Sequence, residues 1–220
     1  MTSPDNAPEL PVARGRRRPN RRVPLVATVT LFFLAVLVGS YLWLHPKLEF
    51  SNTLAAPIWL TVGQGRPVML AAGETRTFSM PRGSAVVLQW NLARPLSANE
   101  RPMGEEVRGS AVVRASRGTV AQRASARAPG AAYFAPLITN ATDHLLRITA
   151  NAGLESAVSC GCAIRPGGRR VFIGYYHLYQ NSTVAAKDST GRAATFRDLG
   201  PKVVAADGTI GLRFESKDLH

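Results

Sequence analysis

Residues 58–90 have the sequence IWLTVGQGRPVMLAAGETRTFSMPRGSAVVLQW, in which three short runs are rich in β-branched and aromatic residues. These runs are 58–62, 75–80 and 85–90. The segments between them contain glycine and proline in the combinations that form tight turns. The pattern predicts β-strands joined by turns and does not favour a helix bundle.

Three later segments, 145–150, 171–179 and 209–214, have the same strand-like composition and are again separated by turn residues. Many short strands at a spacing of about 8–12 residues are typical of β-sandwiches and barrels. We therefore predict a mainly β fold, in which an N-terminal helix is followed by a β-sandwich domain over residues 45–220.

A weak internal repeat runs through these strands. Asn52 and Asn140 each precede an apolar strand, and a glycine turn follows before the next strand. Two related β units, 50–95 and 133–216, would explain the match. The alternative is a single domain, because common turn rules also produce such matches by chance.

The stretch 94–132, between these two units, is rich in Arg, Ala, Ser and Gly. Its valines at 107, 112, 113 and 120 are compatible with edge strands. The alternative is a long connector that joins the two units. The recurring arginines favour a solvated surface. The functional alternative is a cationic surface for an acidic partner or for phosphate headgroups.

Composition narrows the class of protein. The chain has 220 residues, 45% hydrophobic and 19% charged, with a formal net charge of +13. This apolar content is sufficient for a packed core and excludes a collagen, a coiled coil or a multi-span transporter. The two cysteines exclude a disulfide-stapled framework.

Residues 23–44, VPLVATVTLFFLAVLVGSYLWL, carry no charge. As a helix they would extend about 33 Å, enough for a hydrocarbon core of roughly 30 Å. We predict a transmembrane helix that acts as an uncleaved signal anchor, with Tyr41 and Trp43 at one interface. The alternative is a signal peptide cleaved near residues 38–40, where small residues occur.

Charge predicts the orientation of this helix. Six arginines precede it, whereas only Lys47, beside Glu49, follows. The positive-inside rule places residues 1–22 in the cytoplasm as a disordered tail and residues 45–220 outside. The arginines proposed to flank the membrane are Arg16, Arg17, Arg18, Arg21 and Arg22.

These arginines also indicate where the protein is located and what it binds. No aromatic residue alternates with them, so contact with anionic headgroups is favoured over nucleic-acid binding. Arginine far outnumbers lysine in the chain, a bias typical of GC-rich bacteria. We therefore expect a bacterial inner-membrane protein with a periplasmic domain.

Cys160-Gly161-Cys162 is the most specific chemical motif. The pair could form a structural disulfide or remain inert, bind a soft metal such as copper, or act in thiol–disulfide exchange. Residues i and i+2 of a strand share a face, so both sulfurs could reach one ion. The candidate metal site is Cys160, Cys162 and His177, with His144 as a further possible ligand.

The single anchor, the outer β domain and the Cys-x-Cys pair together resemble the copper-delivery factors of cytochrome oxidase. The resemblance covers the topology and residues 159–167. In that family phenylalanines alternate with the cysteines, whereas this chain has Gly161 and Ala163. The resemblance implies copper binding as an alternative function, and we otherwise expect no cofactor.

Residues 171–179 hold four of the chain's aromatic side chains. A strand that is apolar on both faces is typical of the centre of a core. The alternative is a protein interface formed by Tyr175, Tyr176 and Tyr179, because tyrosine combines a rigid ring with a hydrogen-bonding hydroxyl.

Motifs of nucleophilic, metallopeptidase or phosphate-binding chemistry do not occur in the sequence. We predict a non-enzymatic accessory subunit whose outer domain stabilises a larger membrane complex, such as a respiratory or photosynthetic electron-transfer complex. Its partners would be other subunits and the lipid bilayer, not nucleic acid. The alternatives are a copper-binding or thiol-redox assembly factor and a cell-envelope binding module.

Overall fold

The computed structural model describes residues 22–97, 100–128 and 131–220. The chain divides into two compact units, Met1–Leu42 and Trp43–His220. The predicted cytoplasmic tail, up to residue 21, lies outside the described residues. The flanking positions Arg16, Arg17, Arg18 and Arg21 lie outside them with it.

One helix, α1 (Arg22–Leu44), begins the described chain and has 23 residues. Its apolar side chains are exposed, with Leu31 and Phe32 each 66% accessible. Side chains are described for 27–41 of this helix. Within the described residues, no helix has both the length and the apolar character needed to cross a membrane.

Residues 47–124 form a first module of seven strands. These are β1 (Lys47–Asn52), β2 (Ile58–Val62), β3 (Val68–Leu70), β4 (Thr75–Ser79), β5 (Ala85–Leu92), β6 (Arg108–Arg114) and β7 (Thr119–Ala124). One sheet has the order β4-β1-β7 and the other β3-β2-β5-β6. Only β1 and β7 pair in parallel among these strands. Alternate residues of both sheets share one core that includes Phe50, Leu60 and Leu88.

Residues 127–215 form a second module. Its strands are β8 (Arg127–Ala128), β9 (Ala131–Ala141), β10 (Leu146–Ala150), β11 (Val158–Ile164), β12 (Val171–Phe172), β13 (Tyr176–His177), β14 (Val184–Lys187), β15 (Ala193–Phe196) and β16 (Thr209–Glu215), followed by a short 3₁₀ helix (Ser216–Asp218). One sheet has the order β11-β10-β14-β15. The other is built on β9, which pairs with β12 and in parallel with β16. A second core, which includes Phe134, Tyr176 and Phe214, lies between them. The prediction of a mainly β chain is confirmed.

Seven strands of the second module have the same order as the seven of the first, and a buried asparagine lies at the end of β1 and one residue before the end of β9. The side-chain amide of Asn52 donates to the carbonyl of Ala56 at 2.9 Å, and that of Asn140 donates to the carbonyl of His144 at 2.8 Å. Each Oδ1 also accepts from the backbone N–H two residues further on. The modules can therefore be aligned on Asn52 and Asn140, and both extend beyond the predicted units 50–95 and 133–216.

The arginine-rich stretch 94–132 contains β6 and β7, each at an edge of its sheet. Val107 and Val113 are buried in the first core. From the sequence, this stretch could form either edge strands or a connector. The structure shows that it supplies the last two strands of the first module.

The segment 171–179, expected as one strand, is divided into β12 and β13. Gly174 lies between them with φ of +101°, and a Cβ there would lie 2.7 Å from the Cα of Gly104. Only glycine allows two backbones to approach so closely at this φ. The strand therefore breaks because of a tertiary contact.

Tyr175 joins the two modules. Its hydroxyl donates to the carbonyl of Asp207 at 2.6 Å and accepts from the backbone N–H of Ala55 at 2.8 Å. Burial raises the pKa of Tyr175 to about 12, so the hydroxyl keeps the proton that it donates. Ala55 belongs to the first module and Asp207 to the second, so this buried ring links them.

Candidate functional site

A cleft of about 1040 Å³ opens between β6 and β7, the free edges of the two sheets of the first module. The aromatic rings of Phe50 and Trp90 contribute to its lining, together with Gly109, Ala111 and Gln122. A cavity of this size, which combines aromatic rings with many polar groups, is compatible with ligand binding. The cleft is the candidate functional site.

Small side chains keep this cleft open. Alignment on Asn52 and Asn140 places Gln122 of β7 at the position that Leu212 has in β16. The strand registers likewise place Ala111 of β6 at the position of Phe196 in β15. Ala111 therefore leaves space that Phe196 fills in the second module, and the polar Gln122 stands in place of the apolar Leu212.

The ring of Trp90 fills part of the space left by these smaller side chains. It lies against Gly109, where a Cβ would be 2.0 Å from the ring carbons. Any side chain at residue 109 would displace Trp90, which is otherwise buried. Gly109 is thus required for the position of the aromatic ring that lines the cleft.

The corresponding place in the second module is smaller and is covered by the chain itself. The cavity beside β15 and β16 measures about 420 Å³. His220 pairs with Ala193 through two backbone hydrogen bonds, of 3.0 and 3.1 Å. Leu219, 5% exposed, packs into the second core. Residues 216–220 therefore act as a plug, in which His220 adds one paired residue to the edge of β15.

The first cleft is positively charged. Arg108, Arg123 and Arg127 line it, and no lining residue carries a carboxylate. Arg108 pairs with the exposed Glu106 at 2.7 Å, and Arg127 donates to the carbonyl of Val204 at 2.8 Å. All three arginines are exposed at the mouth, so the cleft favours an anionic ligand.

The structure joins Cys160 and Cys162 in a disulfide, with their Cα atoms 5.1 Å apart. Cys160 is buried and Cys162 is partly exposed, on the edge strand β11. The sequence allowed a disulfide or inert pair, a metal site or a redox-active pair, and the structure has the disulfide. In this form neither sulfur is a thiolate ligand for a metal.

The imidazole of His177 is oriented by a carboxylate. Its Nδ1 lies 2.6 Å from Oε2 of Glu105, and the same oxygen accepts from its backbone N–H at 2.7 Å. Among the described residues, no three His, Cys, Asp or Glu side chains are placed to hold a metal ion. Cys160, Cys162 and His177 therefore do not assemble into the expected site, and His144 lies beside Asp143 instead.

The three tyrosines assigned to an interface have different environments. Tyr175 and Tyr176 are fully buried, so they stabilise the fold and present no surface to a partner. Burial also raises the pKa of Tyr176, whose hydroxyl donates to the carbonyl of Ile173 at 2.9 Å. Only Tyr179 is exposed, at 38%. The interface assignment is corrected for Tyr175 and Tyr176.

Of the residues assigned to the membrane boundary, Tyr41 is described and is exposed on α1. The side chains of Arg22 and Trp43 lie outside the described residues.

No protein-family model matches the chain, and no curated protein matches it.

Proposed function

We propose that the chain is a non-enzymatic accessory subunit, anchored in the bacterial inner membrane by its N-terminal helix. The two β-modules would lie in the periplasm and stabilise a larger membrane complex. The observation that carries the proposal is the open, positively charged cleft of the first module.

The chemistry of the cleft supports binding more than catalysis. It offers guanidinium, amide and hydroxyl groups above aromatic rings, which recognise a ligand by charge and shape. Arginine and aromatic residues are also enriched where proteins contact each other. The lining contains no histidine, cysteine or carboxylate that would transfer a proton or attack a substrate.

The sequence of α1 supports membrane attachment. Exposed phenylalanine and leucine side chains surround its described part, which is unusual for a helix in water. The apolar sequence continues beyond the described side chains at both ends, over 23–44. Anchoring would place the modules beside the outer surface of the host complex.

Two measurements test this function in cells that express the full chain. Alkaline carbonate washing should leave the chain in the membrane pellet. Native electrophoresis after mild detergent extraction should show it in a complex of defined size, and depletion of the chain should reduce the abundance of that complex. Release into the wash, or migration of the extracted chain alone, contradicts the proposal.

A further inference from the structure

The second module shows what can occupy the space between the two sheet edges. There His220 forms two backbone hydrogen bonds with Ala193 of β15, and Leu219 inserts into the core. The first module has the same topology, and its equivalent space is open. We propose that this cleft binds an extended acidic segment of a partner protein, which adds as a strand to the free edge of β6.

The backbone of β6 is oriented for such pairing. The carbonyls of Val107 and Ala115 accept from β5 and from its preceding turn, each at 2.9 Å. Because backbone groups alternate in direction along an antiparallel strand, the N–H and C=O groups of Arg108 and Ser110 point away from β5. Arg108 occupies the position of Ala193, the residue that pairs with His220 in the second module.

The cleft also has room for a large side chain. Its volume of about 1040 Å³ compares with about 420 Å³ in the second module, where residues 216–220 are already in place. Phe50 and Trp90 provide an apolar surface for a leucine or aromatic anchor. Burial of one such side chain contributes roughly 1.5–3 kcal/mol.

Charge identifies the occupant. Three arginines line the cleft without a carboxylate among the lining residues, so an acidic strand is complementary and a basic strand is repelled. The arginine-rich residues 1–22 of the same chain therefore do not suit the cleft. The occupant is an acidic segment of another protein, and in this respect the inference rests on the accessory function.

Binding can be measured with the full chain in detergent and a fluorescent six-residue peptide of alternating aspartate and leucine. We expect saturable binding with a dissociation constant below about 100 μM. The variant Arg108→Glu/Arg123→Glu should weaken binding at least tenfold. The matched control, Arg165→Glu/Arg169→Glu, changes two exposed arginines of the second module and should leave binding unchanged.

Two further comparisons separate strand pairing from charge attraction. Ala111→Phe introduces the side chain found in the second module and should reduce affinity at least tenfold by filling the cleft. A peptide with N-methylated backbone cannot donate to β6, and it should bind at least tenfold more weakly. Equal binding of the N-methylated peptide, or unchanged binding to Ala111→Phe, would overturn the inference.

Two remaining outcomes also overturn it. These are the absence of saturable peptide binding by folded protein, and tighter binding of a polygalacturonate hexamer, which would assign the cleft to an acidic carbohydrate. Either result leaves the accessory function intact if the chain still migrates in a membrane complex. Conversely, peptide binding by a chain that migrates alone would contradict the accessory function and retain the cleft assignment.

Discussion

The two β-modules share a framework of seven strands and differ in the gap beside its last two strands. The second module fills the gap beside its last two strands with Phe196, Leu212 and the chain's final residues, whereas the first leaves this gap open. The comparison indicates that this sheet edge accepts backbone pairing, which His220 supplies in the second module. It also locates the surface of the first module that is available to another protein.

The largest effect is expected from the asparagine that the modules share. Asn52→Ala removes donors to the carbonyls of Ala56, Leu70 and Ala71. Because buried carbonyls without partners cost about 1–3 kcal/mol each, we expect the free energy of unfolding to fall by about 3–5 kcal/mol. Urea denaturation monitored by tryptophan fluorescence measures it. Asn91→Ala, at an exposed position, is the control and should change stability by less than about 0.5 kcal/mol.

Leu219→Ala tests whether the plug of the second module stabilises it. Loss of this buried side chain should lower the free energy of unfolding by about 2–3 kcal/mol. Hydrogen exchange at the N–H of Ala193 should accelerate, because its bond to His220 opens more often. Val203→Ala, at an exposed position, provides the comparison. An unchanged exchange rate at Ala193 would show that residues 216–220 do not act as a plug.

Loss of the disulfide should lower the free energy of unfolding less than loss of Asn52 or Leu219. Replacement of Cys160 and Cys162 by alanine releases a very short loop, for which chain entropy suggests a loss of about 1–2 kcal/mol. Binding of the acidic peptide should not change, because neither cysteine lines the cleft. A loss of membrane-complex assembly by this folded variant would instead favour the copper or thiol-redox alternative.

The smallest expected effect on stability comes from Asp188 and appears only at low pH. Although burial opposes ionisation of Asp188, hydrogen bonds from Thr190 and Arg192 hold its pKa to about 2, below the ordinary value of 3.8. Its contribution to stability is therefore fully present above pH 4 and is lost as the pH falls towards 2. Asp188→Asn should flatten the decline of the urea midpoint between pH 4 and pH 2. A decline as steep as in the unmodified chain would assign the acid sensitivity to other carboxyl groups.

Much of the strand content follows from local sequence. The segments 58–62, 85–90 and 209–214 form strands because β-branched and aromatic residues stand between glycine turns. The strand β9 was not predicted, because its buried residues are consecutive and lack the alternation of a half-exposed strand. The break at Gly174 depends on its contact with Gly104, which is distant in sequence.

The cleft illustrates the same limit. Its arginines are visible in the stretch 94–132, and a cationic surface for an acidic partner was one interpretation of them. The cavity itself results from small residues, Gly109 and Ala111, that oppose Gln122 across two sheets. Whether these small residues form a cavity depends on which residues lie opposite them. That is set by the register between strands that are distant in sequence.

The hydroxyl of Tyr175 has a mechanical consequence. The hydroxyl forms hydrogen bonds with Ala55 of the first module and with Asp207 of the second. Loosening of either module therefore removes a hydrogen bond that holds Tyr175 in the other. Heating should therefore melt residues 47–215 in a single calorimetric peak. A pull exerted on the first module would therefore be transmitted to the second through the buried hydroxyl of Tyr175.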